Sequence, residues 1–66
     1  MDWKGFLKVM VIEEKAAWEK YEVAMQLADD PSVHALMEKL RDEEEYHVRF
    51  LEGELDRLEK AAARQG

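Results

Sequence analysis

The sequence contains no cysteine, one proline and three glycines among its 66 residues. The absence of cysteine excludes disulfide bridges, zinc-ribbon sites, iron–sulfur clusters and thiol catalysis. A chain of this length buries only about 60% of its unfolded surface and is marginally stable by itself. Small folds of this kind usually need disulfides, a metal or self-association. Because disulfides are excluded, a bound metal and self-association are the stabilising devices that remain.

The sequence also lacks a basic stripe and a long apolar run. Ten Lys and Arg stand against 16 Asp and Glu, which gives a formal net charge of −6. Nucleic acid is therefore not an expected partner, whereas an acidic surface suits cations. No apolar run approaches the ~20 residues of a membrane span, and we see no signal-peptide pattern. We expect no membrane partner and a cytoplasmic location.

The few glycines and the single proline leave one strong break in the chain, the sequence Asp-Asp-Pro-Ser at residues 29–32. Asp30 suits the N-cap of a helix, and Pro31 suits its first helical position. No alternating β-branched run indicates a strand. We predict an all-α fold with one helical-hairpin domain over residues 1–66: helix 1 at 3–28, a turn at 29–31 and helix 2 at 31–64.

Each predicted helix carries a seam of residues that recur every three or four positions, as on the core-facing side of a helix. The seam of helix 1 comprises Leu7, Met10, Val11, Glu14, Ala17, Trp18, Tyr21, Ala24, Met25 and Ala28. The seam of helix 2 comprises Val33, Leu36, Met37, Leu40, Glu44, His47, Val48, Leu51, Leu55 and Leu58. Both seams are interrupted by ionisable groups near the middle.

The interruptions fall at nearly the same height in an antiparallel hairpin. Glu14 lies about sixteen residues before the turn, and Glu44 and His47 lie about fourteen and seventeen residues after it, at ~1.5 Å rise per residue. The spacing Glu44-x-x-His47 places both side chains on one helix face, a turn apart. Buried carboxylates without a partner cost several kcal/mol each, and neither seam carries a Lys or Arg. These residues therefore indicate a metal site.

A two-helix hairpin does not enclose its own apolar stripe. We predict that two antiparallel hairpins dimerise about a two-fold axis into a four-helix bundle. The axis doubles the polar set to four Glu and two His. Two helices that each give one Glu, with two that each give Glu-x-x-His, are the ligand set of di-iron and di-manganese carboxylate bundles. The ligand types also suit zinc, so iron, manganese and zinc all stay open as the metal.

Two motifs carry a resemblance to a known family. Glu14-x6-Tyr21 in helix 1 and Glu44-x-x-His47 in helix 2 resemble the ferroxidase signature of the ferritin and rubrerythrin superfamily. The chain is more similar to the half-length encapsulated ferritins, which carry one hairpin rather than two. The similar pattern covers roughly residues 10–58 and reads Asp30-Pro31-x4-Leu36-x4-Arg41-Asp42-Glu43-Glu44-x-x-His47, followed by Leu51-Glu52.

The resemblance implies a ferritin-like bundle with a di-iron centre that forms only at a subunit interface, with two irons per interface. Glu44 matches a bridging ligand of this family, and Glu14 and His47 match terminal ligands. Tyr21 matches a tyrosine that hydrogen-bonds a ligand carboxylate. Glu13 matches an acidic residue that helps to gather Fe²⁺ at the entry of the site.

The resemblance also implies a function. Encapsulated ferritins oxidise Fe²⁺ to Fe³⁺ with oxygen or peroxide, and they serve iron storage and detoxification as cargo of an encapsulin nanocompartment. Their homodimers assemble into rings. Two alternatives stay open: a rubrerythrin-like peroxide reductase, whose usual electron source is a Cys-containing rubredoxin domain, and a metal-bridged helical assembly module without enzymatic activity.

The neighbours of the candidate ligands have simpler expected roles. Glu43 and Glu45 are expected to be ordinary surface carboxylates, and Glu19 and Glu22 to belong to a solvated face. Trp18 lies on the seam of helix 1 and is expected to pack in the core.

Overall fold

The computed structural model describes residues 1–65 as two α-helices, α1 at Trp3–Leu27 and α2 at Pro31–Gln65. The helices pack against each other as an antiparallel hairpin measuring 53 × 15 × 14 Å. The described residues include no strand. Within this range, neither helix is apolar over a stretch long enough to span a lipid bilayer. The predicted all-α fold with two packed helices is confirmed, while its dimerisation into a four-helix bundle stays a prediction.

The turn between the helices follows the chemistry of its sequence. The Asp30 carboxylate accepts hydrogen bonds from the backbone N–H groups of Ser32, at 2.8 Å, and Val33, at 3.0 Å. These donors have no partner inside the helix, so the cap satisfies two groups that would otherwise need water. Pro31 is the first residue of α2, where its missing N–H and fixed φ are harmless. The predicted start of helix 2 is confirmed.

Helix α1 is also capped by an aspartate. Asp2 accepts a hydrogen bond from the backbone N–H of Gly5 at 2.9 Å. A Cβ at Gly5 would collide with the Asp2 side chain, so the glycine permits this close approach. The helix ends at Leu27, one residue before the predicted end, because Ala28 has an extended backbone with φ −69° and ψ 121°.

The interior of the hairpin is thin. All ten seam residues of helix 1 are at least half-buried, but Val11 and Val48 are the only hydrophobic residues in the described part of the chain that are classed as buried. On α2, the seam residues Val33, Leu36 and His47 are exposed, contrary to the expectation for a covered seam. One hairpin covers only one side of each seam, so these residues lie beside the helix contact rather than within it.

One side of the hairpin is closed by ion pairs between the helices, and we call it the ion-paired face. It carries three pairs: Lys8–Glu59 at 3.9 Å, Lys15–Glu52 at 3.2 Å and Glu22–Arg41 at 2.6 Å. The α1 members recur every seven residues, which keeps them on one side of the helix. The two Lys–Glu pairs are exposed and contribute little stability individually, but the three pairs together favour one rotation of the helices about each other.

The opposite side of the hairpin is apolar and uncovered, and we call it the open face. His47 lies on this side, because it follows Arg41 by six positions, which places it about 120° away round α2. The Trp3 and Phe6 rings make a T-shaped contact on α1, with centroids 5.7 Å apart. The exposed residues of the open face include Trp3, Phe6, Leu36 and His47.

Candidate metal centre

Three ionisable side chains meet midway along the hairpin. Glu14 comes from α1, and Glu44 and His47 come from α2; each offers one ligand atom, and these atoms lie within 4.8 Å of one another. The His47 Nδ1 atom is 3.4 Å from Oε2 of Glu14 and 3.5 Å from Oε2 of Glu44. A single chain therefore brings two carboxylates and one imidazole to one point.

The local fold explains why these side chains converge. The spacing of Glu44 and His47 stacks them one turn apart on α2. Glu14 follows the buried Val11 by one turn on α1, and Glu44 precedes the buried Val48 by one turn on α2. The two valines hold the helices in contact at this height, so Glu14 is directed towards α2.

Glu44 is the most enclosed of the three side chains, with 17% of its surface exposed. Its Oε2 atom is buried and has no hydrogen-bond partner among the described residues. The 3.5 Å separation from His47 Nδ1 allows an ion pair but exceeds the 2.7–3.2 Å typical of N–H···O bonds. A buried carboxylate oxygen without a donor is costly, and a cation would remove that cost. This oxygen and the mixed carboxylate–imidazole set fit Fe²⁺, Mn²⁺ or Zn²⁺.

The three side chains differ in solvent exposure, and the most exposed one marks the side from which the site is accessible. His47 is 54% exposed and Glu14 is 27% exposed. The exposed imidazole lies on the open face, so the ligand group is accessible from the side where a second hairpin would dock. Three ligands do not complete the coordination sphere of a divalent transition metal, which takes four or more. The group within one chain is an incomplete site.

The structure does not bring Tyr21 and Glu13 into this group. Tyr21 is half-buried two turns after Glu14, and the Lys20 ammonium lies 4.9 Å from the centre of its ring. The buried Oε2 of Glu44 has no hydrogen-bond partner in residues 1–65, Tyr21 included. Glu13 is exposed and points about 100° away from Glu14 round the helix. The carboxylate-supporting role of Tyr21 and the entry role of Glu13 stay predictions.

A second polar contact near the site differs from the sequence prediction. The assignment of Glu22 to a solvated face is wrong: its half-buried carboxylate accepts a hydrogen bond of 2.6 Å from Arg41 across the hairpin. Arg41 also donates to Asp42, at 3.2 and 3.3 Å. The hydrogen bond from Arg41 lowers the pKa of Glu22, and the bonds to Glu22 and Asp42 raise the pKa of Arg41. The contact fixes α2 one turn before Glu44.

The other neighbours behave as predicted. Glu43 and Glu45 are exposed, and Glu45 pairs with Arg49 at 3.1 Å on the outside of α2. Trp18 is half-buried in the seam of α1. Within the acidic run of α2, only Glu44 turns its carboxylate into the hairpin, so adjacent glutamates offer matched controls.

No family model, no curated protein and no solved structure matches this chain. The similarity to encapsulated ferritins therefore stays a prediction that depends on the motifs quoted above. Together, the fold and the site define a helical hairpin that carries a candidate carboxylate–imidazole cation site on an uncovered apolar face.

Proposed function

We propose that this chain is a ferroxidase subunit, which binds Fe²⁺ through Glu14, Glu44 and His47 and oxidises it to Fe³⁺. The observation that carries the proposal is the convergence of these three side chains around a buried carboxylate oxygen that lacks a donor. Among residues 1–65, no Lys or Arg forms an ion pair with this oxygen, and the His47 Nδ1 atom lies 3.5 Å from it. Carboxylate and imidazole ligands suit both oxidation states of iron.

A dimer formed through the open face would complete the centre. Trp3, Phe6 and Leu36 are exposed on the same face as His47, farther along the hairpin, and burying such side chains contributes about 1.5–3 kcal/mol each. A two-fold axis through this face brings together four Glu and two His, enough for two Fe²⁺ ions. Two dications balance the charge of four carboxylates, so iron binding and dimerisation are expected to stabilise each other.

In the proposed reaction, iron is the substrate and the chain supplies ligands and charge. Two Fe²⁺ ions lose one electron each. Oxygen accepts the two electrons with two protons and leaves as hydrogen peroxide; when peroxide is the oxidant, it accepts two electrons and two protons and leaves as two waters. The carboxylates of Glu14 and Glu44 favour the more highly charged Fe³⁺ because they are anionic oxygen donors. The His47 imidazole is held beside both carboxylates by the turn geometry of α2.

The test is Fe²⁺-dependent oxygen consumption by the full chain. We expect Glu44→Ala and His47→Ala to abolish consumption above the rate of free iron, because each removes a ligand. Glu43→Ala is the matched control, since Glu43 neighbours Glu44 and is exposed outside the ligand group. Normal consumption in both ligand variants would rule out the proposal.

The resemblance to encapsulated ferritins extends the proposal to iron storage and detoxification as cargo of an encapsulin shell, with dimers arranged in rings. Within this proposal, Tyr21 supports a ligand carboxylate and Glu13 attracts Fe²⁺ to the entry. Both roles follow from the resemblance: Tyr21 is half-buried on the seam of Glu14, two turns away, and Glu13 is exposed. Manganese and zinc are the expected substitutes for iron.

The two alternatives correspond to other outcomes of the same assay. A peroxide reductase would turn over faster with peroxide than with oxygen and would require a reduced electron donor. A metal-bridged assembly module would dimerise with the metal and show no oxidation of Fe²⁺.

A further inference from the structure

Helix α1 carries a second apolar surface, on the side that faces away from α2. Four of its side chains are 54–79% exposed, and they recur at helical spacing around an exposed alanine. We call this surface the outer stripe, and it comprises Val9, Ile12, Ala16, Val23 and Leu27. It extends for about 27 Å at ~1.5 Å per residue.

The outer stripe is distinct from the surfaces described so far. Val9 and Leu27 each lie about 160° round the helix from Val11, which is buried against α2. Docking a second hairpin on the open face leaves the back of α1 in water, so the proposed metal dimer does not cover these residues. Contiguous exposed apolar surface of this extent marks an interaction site.

Two opposite charges lie beside the outer stripe, at similar distances before and after its central alanine. On one edge, Glu13 lies three residues before Ala16 and Lys20 lies four residues after it. A two-fold axis beside Ala16 that pairs α1 with an antiparallel copy brings same-edge residues together. Glu13 then faces Lys20 of the copy, so opposite charges meet on this edge in both halves of the pair.

The apolar residues agree with the same register. Val9 and Val23 lie seven residues before and seven residues after Ala16, so each valine faces the other across the axis. Ala16 itself falls at the crossing point, where a small side chain allows two helices to approach closely. A pattern that complements itself in both charge and shape is what an isologous interface requires.

We propose that the outer stripe is a self-association surface that binds the outer stripe of a second copy of this chain, antiparallel across a two-fold axis. The surface goes beyond the ferroxidase proposal and does not depend on it, because Glu14, Glu44 and His47 lie outside it and no metal is needed. A chain with this surface and the open face has two separate ways of meeting copies of itself.

The first test is the sedimentation of the full chain in chelator, compared with Ala16→Glu. The substitution brings two carboxylates together at the axis and introduces a residue that helices tolerate well. Ala35→Glu is the matched control, because Ala35 is an exposed alanine on α2. We expect wild type and control to share one mass distribution and Ala16→Glu to form smaller species. Equal masses for all three proteins would overturn the proposal.

The second test identifies the occupant as another copy. Glu13→Lys and Lys20→Glu each place like charges opposite one another in a self-pair, whereas a mixture of the two variants restores opposite charges. With two altered pairs per interface, we expect each variant alone to associate about tenfold more weakly than the mixture. A misfolded variant would not recover on mixing. A mixture that associates no better than its components would overturn the proposal.

The two proposals fail in different assays. The Ala16→Glu variant is expected to keep Fe²⁺-dependent oxygen consumption per chain. In chelator, it is expected to sediment as smaller species than wild type. Glu44→Ala is expected to lose oxygen consumption while it keeps the wild-type mass in chelator. Loss of mass on Ala16→Glu without any ferroxidase activity in wild type would support the outer stripe and reject the ferroxidase.

Discussion

The Nδ1 atom of His47 lies 3.4 Å from Oε2 of Glu14, although 33 positions separate the two residues in the chain. This contact joins the two helices at the point where packing alone would favour a pair of leucines. Glu44 adds a second carboxylate, whose buried oxygen has no hydrogen-bond donor in the described part of the chain. The centre of the hairpin therefore lacks the stabilisation that apolar packing would give there, and a bound cation would offset that loss.

The cost of this arrangement predicts a stability test at Glu44. In chelator at about pH 8, we expect Glu44→Gln to raise the free energy of unfolding by about 1 kcal/mol, because it removes a charge whose buried oxygen has no donor among residues 1–65. With Zn²⁺ or Mn²⁺, wild type is expected to gain stability and the variant to gain much less. Thermal unfolding followed by circular dichroism measures both effects.

Glu43→Gln is the control for this comparison, because Glu43 is exposed at the preceding position. It is expected to change neither the stability in chelator nor the response to metal. A Glu44→Gln variant that is less stable than wild type in chelator, and equally stabilised by metal, would contradict the interpretation of Glu44 as a ligand.

The cap of α2 predicts a second measurable effect. We expect Asp30→Ala to lower the free energy of unfolding by about 1 kcal/mol, because it removes the acceptor for the Ser32 and Val33 N–H groups. Asp29→Ala is the matched control, since it changes the preceding aspartate and leaves that acceptor in place. Urea denaturation in chelator measures the difference, and equal losses in the two variants would contradict the assignment of the cap.

The contact between Glu22 and Arg41 predicts a pH dependence. Arg41 holds the pKa of Glu22 below its ordinary value of 4.5, so the contact stabilises the folded chain fully above that pH. The contribution is lost as the pH falls through the lowered pKa of the folded state. We expect wild type to lose more stability between about pH 6 and about pH 3 than Glu22→Gln does. If the free energies of unfolding of wild type and Glu22→Gln change in parallel with pH in chelator, the contact contributes nothing to stability in solution.

The apolar period made much of the fold predictable. Every helix 1 seam residue is at least half-buried, and the break at Asp30 and Pro31 falls where α2 begins. Leu36 and His47 are exposed although they lie on the helix 2 seam. Periodicity identifies the side of a helix that is apolar, but it does not say whether the same chain or another copy covers that side.

Lateral contacts were less predictable for a physical reason. Glu22 and Arg41 meet because the helices take one particular rotation and because arginine has a long reach, and neither property is encoded in spacing along one helix. The outer stripe was also missed, since Ile12 and Val23 belong to a second apolar face of α1. When one seam is assigned to a helix from its periodicity, apolar residues on the other sides of that helix are left without a predicted contact.

The central claim is that two hairpins together complete a di-iron centre. The most direct measurement is anomalous scattering at the iron edge from a crystal of the full chain grown with Fe²⁺. We expect two iron peaks about 3.5–4 Å apart at an interface between two chains, with Glu14, Glu44 and His47 of both chains as ligands. Iron bound away from Glu44 and His47, or held by one chain alone, would contradict the claim.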